Sequence, residues 1–298
     1  MFDKSQIIDL DECVVNALNL FAKEKLPNID VSEFKRILVV GSGNAAATGK
    51  IVFEKMDAVF ADESSYEIKL KNIKDIDAVI VISASGGKHA PIIAKAAKQK
   101  YKKKVILLTN NSNALAKKYA DETHVFPKNP EPYTYNTSTY MGMILAQTAE
   151  NPKKILDFIN KKIAKLKYPD FGMYKRYFLI VPPEFEGIIN MLNVKFMELF
   201  GRQIARDVET TEAMKHATTV VPSENELFIC FGEKKSYGKD NFFVPLPGKA
   251  DYGAVMAVGY YIIGKIQKSQ QPWFRDNIEE YTKKASKIFS QEIKPIVE

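Results

Sequence analysis

Residues 76–110 read IDAVIVISASGGKHAPIIAKAAKQKYKKKVILLTN. An apolar, β-branched run over residues 78–82 stops abruptly at Ser83-Ala84-Ser85-Gly86-Gly87, which is the signature of a buried strand closed by a turn. Pro91 suits the first turn of a helix starting near Ala90, where the missing N–H is not needed. A second buried run, 105–108, follows and is broken by Thr109-Asn110. Strand, loop, helix and strand in that order make one unit of a parallel sheet. The loop inside the unit consists of small hydroxyl and glycine residues. Hydroxyls and unused N–H groups at the start of a helix offer a site to a phosphate or another anion. The same residues also suit a plain turn with serine as the helix cap.

Outward from this unit, the strand–helix pattern continues in both directions. Residues 10–24, LDECVVNALNLFAKE, carry Val14, Leu18 and Phe21 at helical spacing. Residues 36–40 form the first strand and run into Gly41-Ser42-Gly43-Asn44-Ala45, with a helix through Val52 and Phe53 beyond. The third glycine of a dinucleotide fingerprint is missing and no acidic residue marks the end of the next strand, so Ser42 and Asn44 suit a polyol or phosphate equally well. A short strand is expected near 66–70 and another over 123–126, where His124 reads as structural. After a proline-rich loop, Asn136-Thr137-Ser138-Thr139 caps one long helix expected to reach about residue 163. The loops at 41–44, 83–88, 109–110 and 136–139 all follow strands, and ligands in such sheets bind at the strands' carboxyl ends. The four loops should therefore share one rim.

The linker falls at 165–175, KLKYPDFGMYK, which divides the chain into domains 1–168 and 169–298. The second half repeats the pattern with fewer hydroxyls. A strand from Arg176 ends in prolines, a helix spans 184–200, and residues 201–218 are polar and poorly periodic. Strands follow at 227–231 and 242–245, then an apolar helix over 252–266 and a charged one over 275–290. The fold class is α/β: two flavodoxin-like halves, each a parallel sheet with helices on both faces.

Composition narrows the function. The chain has 298 residues, 46% of them apolar and 27% charged, which is a globular balance with ample core. No apolar run is long enough to cross a membrane, and the opening MFDKSQIIDLDE lacks the layout of a secretion signal. Cys13 and Cys230 stand alone, so a reducing, cytoplasmic setting is expected. Three scattered histidines offer no metal spacing, and no cofactor is expected. The net charge of +7 is modest, and the lysines of 98–104 lack the interleaved aromatics of a nucleic-acid surface. Neither nucleic acid nor membrane is an expected partner.

On these residues the chain resembles the sugar isomerase (SIS) domain family in its double-domain form. Ser83-Ala84-Ser85-Gly86 is similar to that family's Ser-x-Ser-Gly phosphosugar loop, Gly41-Ser42-Gly43-Asn44-Ala45 to its first loop, and Asn136-Thr137-Ser138-Thr139 to its later Ser/Thr cap. Val194-Lys195-Phe196-Met197-Glu198 and Met214-Lys215-His216 resemble the helix glutamate and Lys-His pair of the isomerase half of glucosamine-6-phosphate synthase, a plan that archaeal phosphoglucose/phosphomannose isomerases share. The resemblance implies a sugar-phosphate isomerase, or a related deglycase or deaminase, acting on a hexose or amino-hexose 6-phosphate. In that reading Ser42, Gly43, Asn44, Ser83, Ser85, Gly86, Lys88, Ser138 and Thr139 hold the substrate. Glu198 moves a proton between C1 and C2, His216 opens the ring, and a homodimer completes the site. The alternative is a sugar-phosphate sensor without catalysis. The sequence departs from the family where Gly87-Lys88-His89-Ala90-Pro91 follows the loop, in the spacing from Glu198 to His216, and in lacking a clear counterpart of the synthase's C-terminal lysine. For that lysine, Lys265, Lys283 and Lys284 are the positional candidates.

Overall fold

The computed structural model describes residues 2–217, 221 and 223–297. After a first helix, α1 (Leu10–Phe21), five strands make one sheet: β1 (Ile37–Val40), β2 (Ala58–Ala61), β3 (Ala78–Ile82), β4 (Lys104–Thr109) and β5 (Glu122–Val125). All are parallel, in the order β2-β1-β3-β4-β5. Every residue of β1 and β3 is buried, as a parallel sheet covered on both faces requires. On one face Leu38, Val79, Val81 and Leu107 pack with Ile93, Ala94 and Ala97. Helices α2 (Asn44–Val52), α3 (Tyr66–Asn72) and α4 (His89–Lys95) make the crossovers, and the chain continues from α4 in a wider turn through Lys100. The lysines of 98–104 are largely ion-paired. Lys98 pairs with Asp121, Lys100 with Glu67 at 3.1 Å, and Lys104 with Glu33 and Glu122 at 2.7 and 2.8 Å.

Residues 66–70 are helix, not the strand expected from their sequence. Tyr66 and Leu70 bury one helical turn apart. The turn before them is a reciprocal cap: the Asp62 carboxylate accepts from Ser65 N at 3.0 Å, while Ser65 Oγ accepts from Asp62 N at 3.0 Å. The strand of this region is β2, a few residues earlier.

A two-residue strand, β6 (Glu131–Pro132), precedes α5 (Thr137–Thr148) and α6 (Pro152–Lys161). These two replace the single long helix expected to about 163. Ala149 has φ +54°, Asn151 caps α6 by accepting from Lys154 N at 3.1 Å, and Pro152 opens it.

The second sheet contains β7 (Arg176–Val181), β8 (Ala205–Thr210), β9 (Glu226–Phe231) and β10 (Asp240–Val244), all parallel, in the order β8-β7-β9-β10. In chain order both sheets therefore run 2-1-3-4, the first adding a fifth strand. Helices α7 (Ile189–Phe200), α8 (Thr211–Ala217), α9 (Tyr252–Ser269) and α10 (Trp273–Phe289) accompany it, and β11 (Ile296–Val297) pairs antiparallel with β6. The segment 201–218, aperiodic to the eye, contains β8 and α8. β8 lies at the sheet edge and buries only Val208 and Thr210, so it carries no apolar run.

Packing gathers the chain into two compact units. One holds Lys23–Lys128 and Ser138–Ala149 around the first sheet. The other gathers the N-terminal segment through Ala22, Asn129–Thr137 and the chain from Glu150 onward around the second. Helix α1 thus packs with the later unit. It crosses α9 so closely that a Cβ on Gly264 would lie 2.2 Å from Asp11 N. Gln267 Oε1 accepts from Leu10 N at 3.0 Å, and the buried Asp11 carboxylate meets Lys265 and Lys268 at 2.8 and 3.0 Å.

Candidate functional site

The strand order 2-1-3-4-5 reverses direction between β1 and β3, which opens a crevice beyond their carboxyl ends. The loops there are 41–43 and 83–88. The second loop is laced to the end of β4: Asn110 N donates to Ala84 O at 3.1 Å, Thr109 Oγ1 to Ala84 O at 2.8 Å, and Asn111 Nδ2 to Ser85 O at 2.9 Å. Within it, Ser83 Oγ accepts from Gly86 N at 3.2 Å and Ser85 Oγ from Gly87 N at 3.3 Å. Each serine thus spends a lone pair on the backbone and keeps its O–H to donate, which suits an anion. Gly86 has φ +59°, and a Cβ there would stand 2.3 Å from the Ala114 Cβ, so glycine is required twice over. Lys88, also at positive φ (+49°), is exposed just before α4, and His89 is exposed at its start.

On the β1 side, Gly43 turns the chain at φ +55° into α2. Ser42 Oγ donates to Glu63 Oε2, and this bond, more than anything else, holds the Glu63 carboxyl below its usual range. Asn44 is buried, and its Oδ1 has no hydrogen-bond partner among the described residues. Ser138 and Thr139 are buried in the first turn of α5, and Thr139 Oγ1 accepts from Asn110 Nδ2, which ties this turn to the rim. Asn110 belongs to the 109–110 loop expected on the rim, whereas Glu63 and Asn111 lie outside the loops expected there. Their signal is positional: each follows the carboxyl end of a strand neighbouring β1 or β3.

The second sheet has a crevice position of its own, after β7 and β9, and apolar side chains crowd it at Gly232. Pro182 and Pro183 follow β7 and bring no N–H. A Cβ on Gly232, which follows β9, would lie 3.2 Å from both Pro182 Cγ and Leu246 Cδ1. The prolines and the Leu246 side chain offer an anion no donors.

Glu198 and His216 lie in the second-sheet unit. Glu198 is on α7, one turn after Lys195, which is completely buried. Lys195 Nζ places its three protons on Glu198 Oε2 (2.6 Å), Tyr135 O (2.9 Å) and Thr134 O (3.1 Å), and sits over the rings of Tyr135 and Tyr260. Burial raises the pKa of the Glu198 carboxyl, although Lys195 pulls the other way. The carboxylate faces an open, mostly apolar cleft of about 550 Å³, with Met197, Phe200, Trp273, Ile278 and Tyr281 on its walls. His216 is exposed on α8 next to Lys215, which pairs with Glu212 at 2.6 Å. The three positional lysines are all ion-paired: Lys265 to Asp11, Lys283 to Glu279 (2.9 Å) and Lys284 to Glu280 (2.5 Å).

Two parallel α/β sheets, one with serine hydroxyls at its strand reversal, define the class of protein by its fold. Residues 31–149, a segment that contains the whole first-sheet crevice, match the family model of the SIS domain. No curated protein matches the chain. Solved structures share its fold. Glucosamine-6-phosphate deaminase from Thermotoga maritima aligns at TM-score 0.61 and 15% identity, over 87% of this chain and 92% of that one. The C-terminal domain of glucosamine-fructose-6-phosphate aminotransferase from Francisella tularensis aligns at 0.57 and 12%, over 86% and 92%. Tagatose-6-phosphate ketose/aldose isomerase from Escherichia coli aligns at 0.56 and 12%, over 89% of each. At these identities the likeness is one of fold.

Proposed function

We propose that the protein binds a sugar phosphate in the first-sheet crevice and interconverts its aldose and ketose forms, or carries out a related deglycase or deaminase reaction on an amino-hexose 6-phosphate. The observation that carries the binding half is the pair Ser83 and Ser85, whose hydroxyls accept from the backbone and keep their protons for an anion. Lys88 supplies a cation beside them, with Ser42, Gly43, Asn44, Gly86, Ser138 and Thr139 completing the proposed contacts. The SIS domain match over this segment supports the same ligand class.

In the catalytic half, Glu198 takes the proton from one carbon and returns it to the next, and His216 opens the sugar ring. A carboxyl with a raised pKa suits the first task, because a base that must also give its proton back works best when its pKa lies nearer the operating pH. A histidine titrates in the range the second task needs. The proposed working form is a cytoplasmic homodimer. One observation favours a second reading, a sensor that binds without turnover: the Glu198 carboxylate is already engaged by Lys195.

A thermal-shift panel of glucose, fructose, mannose and glucosamine 6-phosphates beside inorganic phosphate tests the binding half. A ligand at a hundred times its Kd adds about 2.7 kcal/mol to stability. No response to any of them overturns it. Turnover of the responding sugar, lost in Glu198→Gln with binding retained, supports the isomerase; binding without turnover in the wild-type protein selects the sensor.

A further inference from the structure

The two sides of the first-sheet crevice have opposite hydrogen-bonding character. On the β3 side Ser83 and Ser85 have donors to give. On the β1 side Ser42 has one proton, and it goes to Glu63, so toward the crevice Ser42 can only accept. Asn44 adds a buried carbonyl oxygen that has no partner among the described residues. Glu63 adds a carboxylate whose pKa is lowered chiefly by the Ser42 hydrogen bond. Phosphate oxygens only accept, so the Glu63 carboxylate repels a phosphate while the serines of the other side attract it. What complements the β1 side is a group rich in donors.

We propose that Glu63 is a specificity-determining residue that reads the end of the ligand away from the phosphate and favours a protonated amine over a hydroxyl there. The inference rests on the sugar-phosphate reading and deepens it. An ammonium brings both donors and a positive charge to an ionised carboxylate, and the resulting charge-assisted bond is stronger than that of a neutral hydroxyl. The ligand class is therefore an amino-sugar phosphate, its phosphate over residues 83–88 and its amine toward Ser42 and Glu63.

The test is calorimetric titration of the wild-type protein and Glu63→Gln with inorganic phosphate, glucose 6-phosphate and glucosamine 6-phosphate. The expected result is that glucosamine 6-phosphate binds the wild-type protein about tenfold more tightly than glucose 6-phosphate. Glu63→Gln should bring the two sugars level and leave the Kd for inorganic phosphate unchanged, which also shows that the variant is folded. Equal affinities in the wild-type protein, or a preference that survives in Glu63→Gln, overturns the assignment. So does a parallel loss of phosphate binding, which would mean that Glu63 only holds the 41–43 loop. If the wild-type protein binds neither phosphate nor either sugar, the sugar-phosphate reading falls first and this inference with it.

Discussion

Gly86 and Gly43 have nearly the same backbone angle but different surroundings. A Cβ on Gly43 meets nothing within 4 Å, whereas one on Gly86 meets Ala114 at 2.3 Å. Gly43→Ala should therefore cost only the strain of positive φ, about 1–3 kcal/mol. Gly86→Ala should cost that strain plus ~1–3 kcal/mol of overpacking, and should also weaken phosphate binding by displacing Ser83 and Ser85. Paired denaturation curves and phosphate titrations check both, and equal destabilisation would contradict the packing argument. The Lys195–Glu198 pair makes a second residue-scale prediction. Lys195→Met abandons two buried carbonyls and a partly buried carboxylate, an expected loss of about 3–5 kcal/mol. Glu198 also has a pH signature. Its folded pKa is raised, so the folded state holds its proton more tightly than the unfolded chain does. Its contribution to stability therefore declines as pH rises from the ordinary carboxylate range to the raised value, and Glu198→Gln should remove that slope from the stability–pH curve.

At the level of elements, the start of α3 depends on Asp62. Hydrogen bonds from the hydroxyls of Ser65 and Ser64, and from the Ser64 N–H, lower its pKa to about 2. A depressed carboxyl stabilises the fold above its unfolded pKa and loses that effect as pH falls through the folded one. Asp62→Ala should accordingly lower Tm at neutral pH, with the gap to the wild-type protein closing as pH approaches 2. The crossing of α1 and α9 is the other sensitive junction. In an exposed helix Gly→Ala gains about 1 kcal/mol. At Gly264 the new methyl would press on the Asp11 backbone, which cannot rotate away, so Gly264→Ala should instead destabilise by ~1–3 kcal/mol. A stabilised variant would show that the helices separate without cost.

At the scale of the whole molecule, two sheets with the same strand order differ at their crevices. Serines and Gly86 line one, while Pro182 and Leu246 close the other. Hydrogen exchange in the presence of a bound sugar phosphate should therefore slow at 41–44, 83–88 and 109–111, with no matching protection at 182–188 or 232. Equal protection at both rims would contradict the one-sided reading.

Much of this protein was legible in its sequence because the information is local. The runs at 37–40, 78–82 and 105–108 must be buried strands, and their turn residues fall at their carboxyl ends, so the α/β class and the Ser83–Ser85 loop follow from spacing alone. Local pattern misplaced what local pattern does not control. Residues 66–70 looked like a strand until the Asp62–Ser65 cap made them helix. β8 was invisible because a partly buried edge strand needs no apolar run, and the helix after 137 ends at Thr148, ahead of the Asn151-Pro152 start of α6. Only the tertiary structure joined α1 to α9, because that contact depends on Gly264 and Gln267 lying some 250 residues from their partners Asp11 and Leu10. It alone brought Glu63 to Ser42, through the side-by-side placement of β1 and β2. Strand identity is set by neighbours in the chain, but which hydroxyl keeps its proton for a ligand is set by neighbours in space.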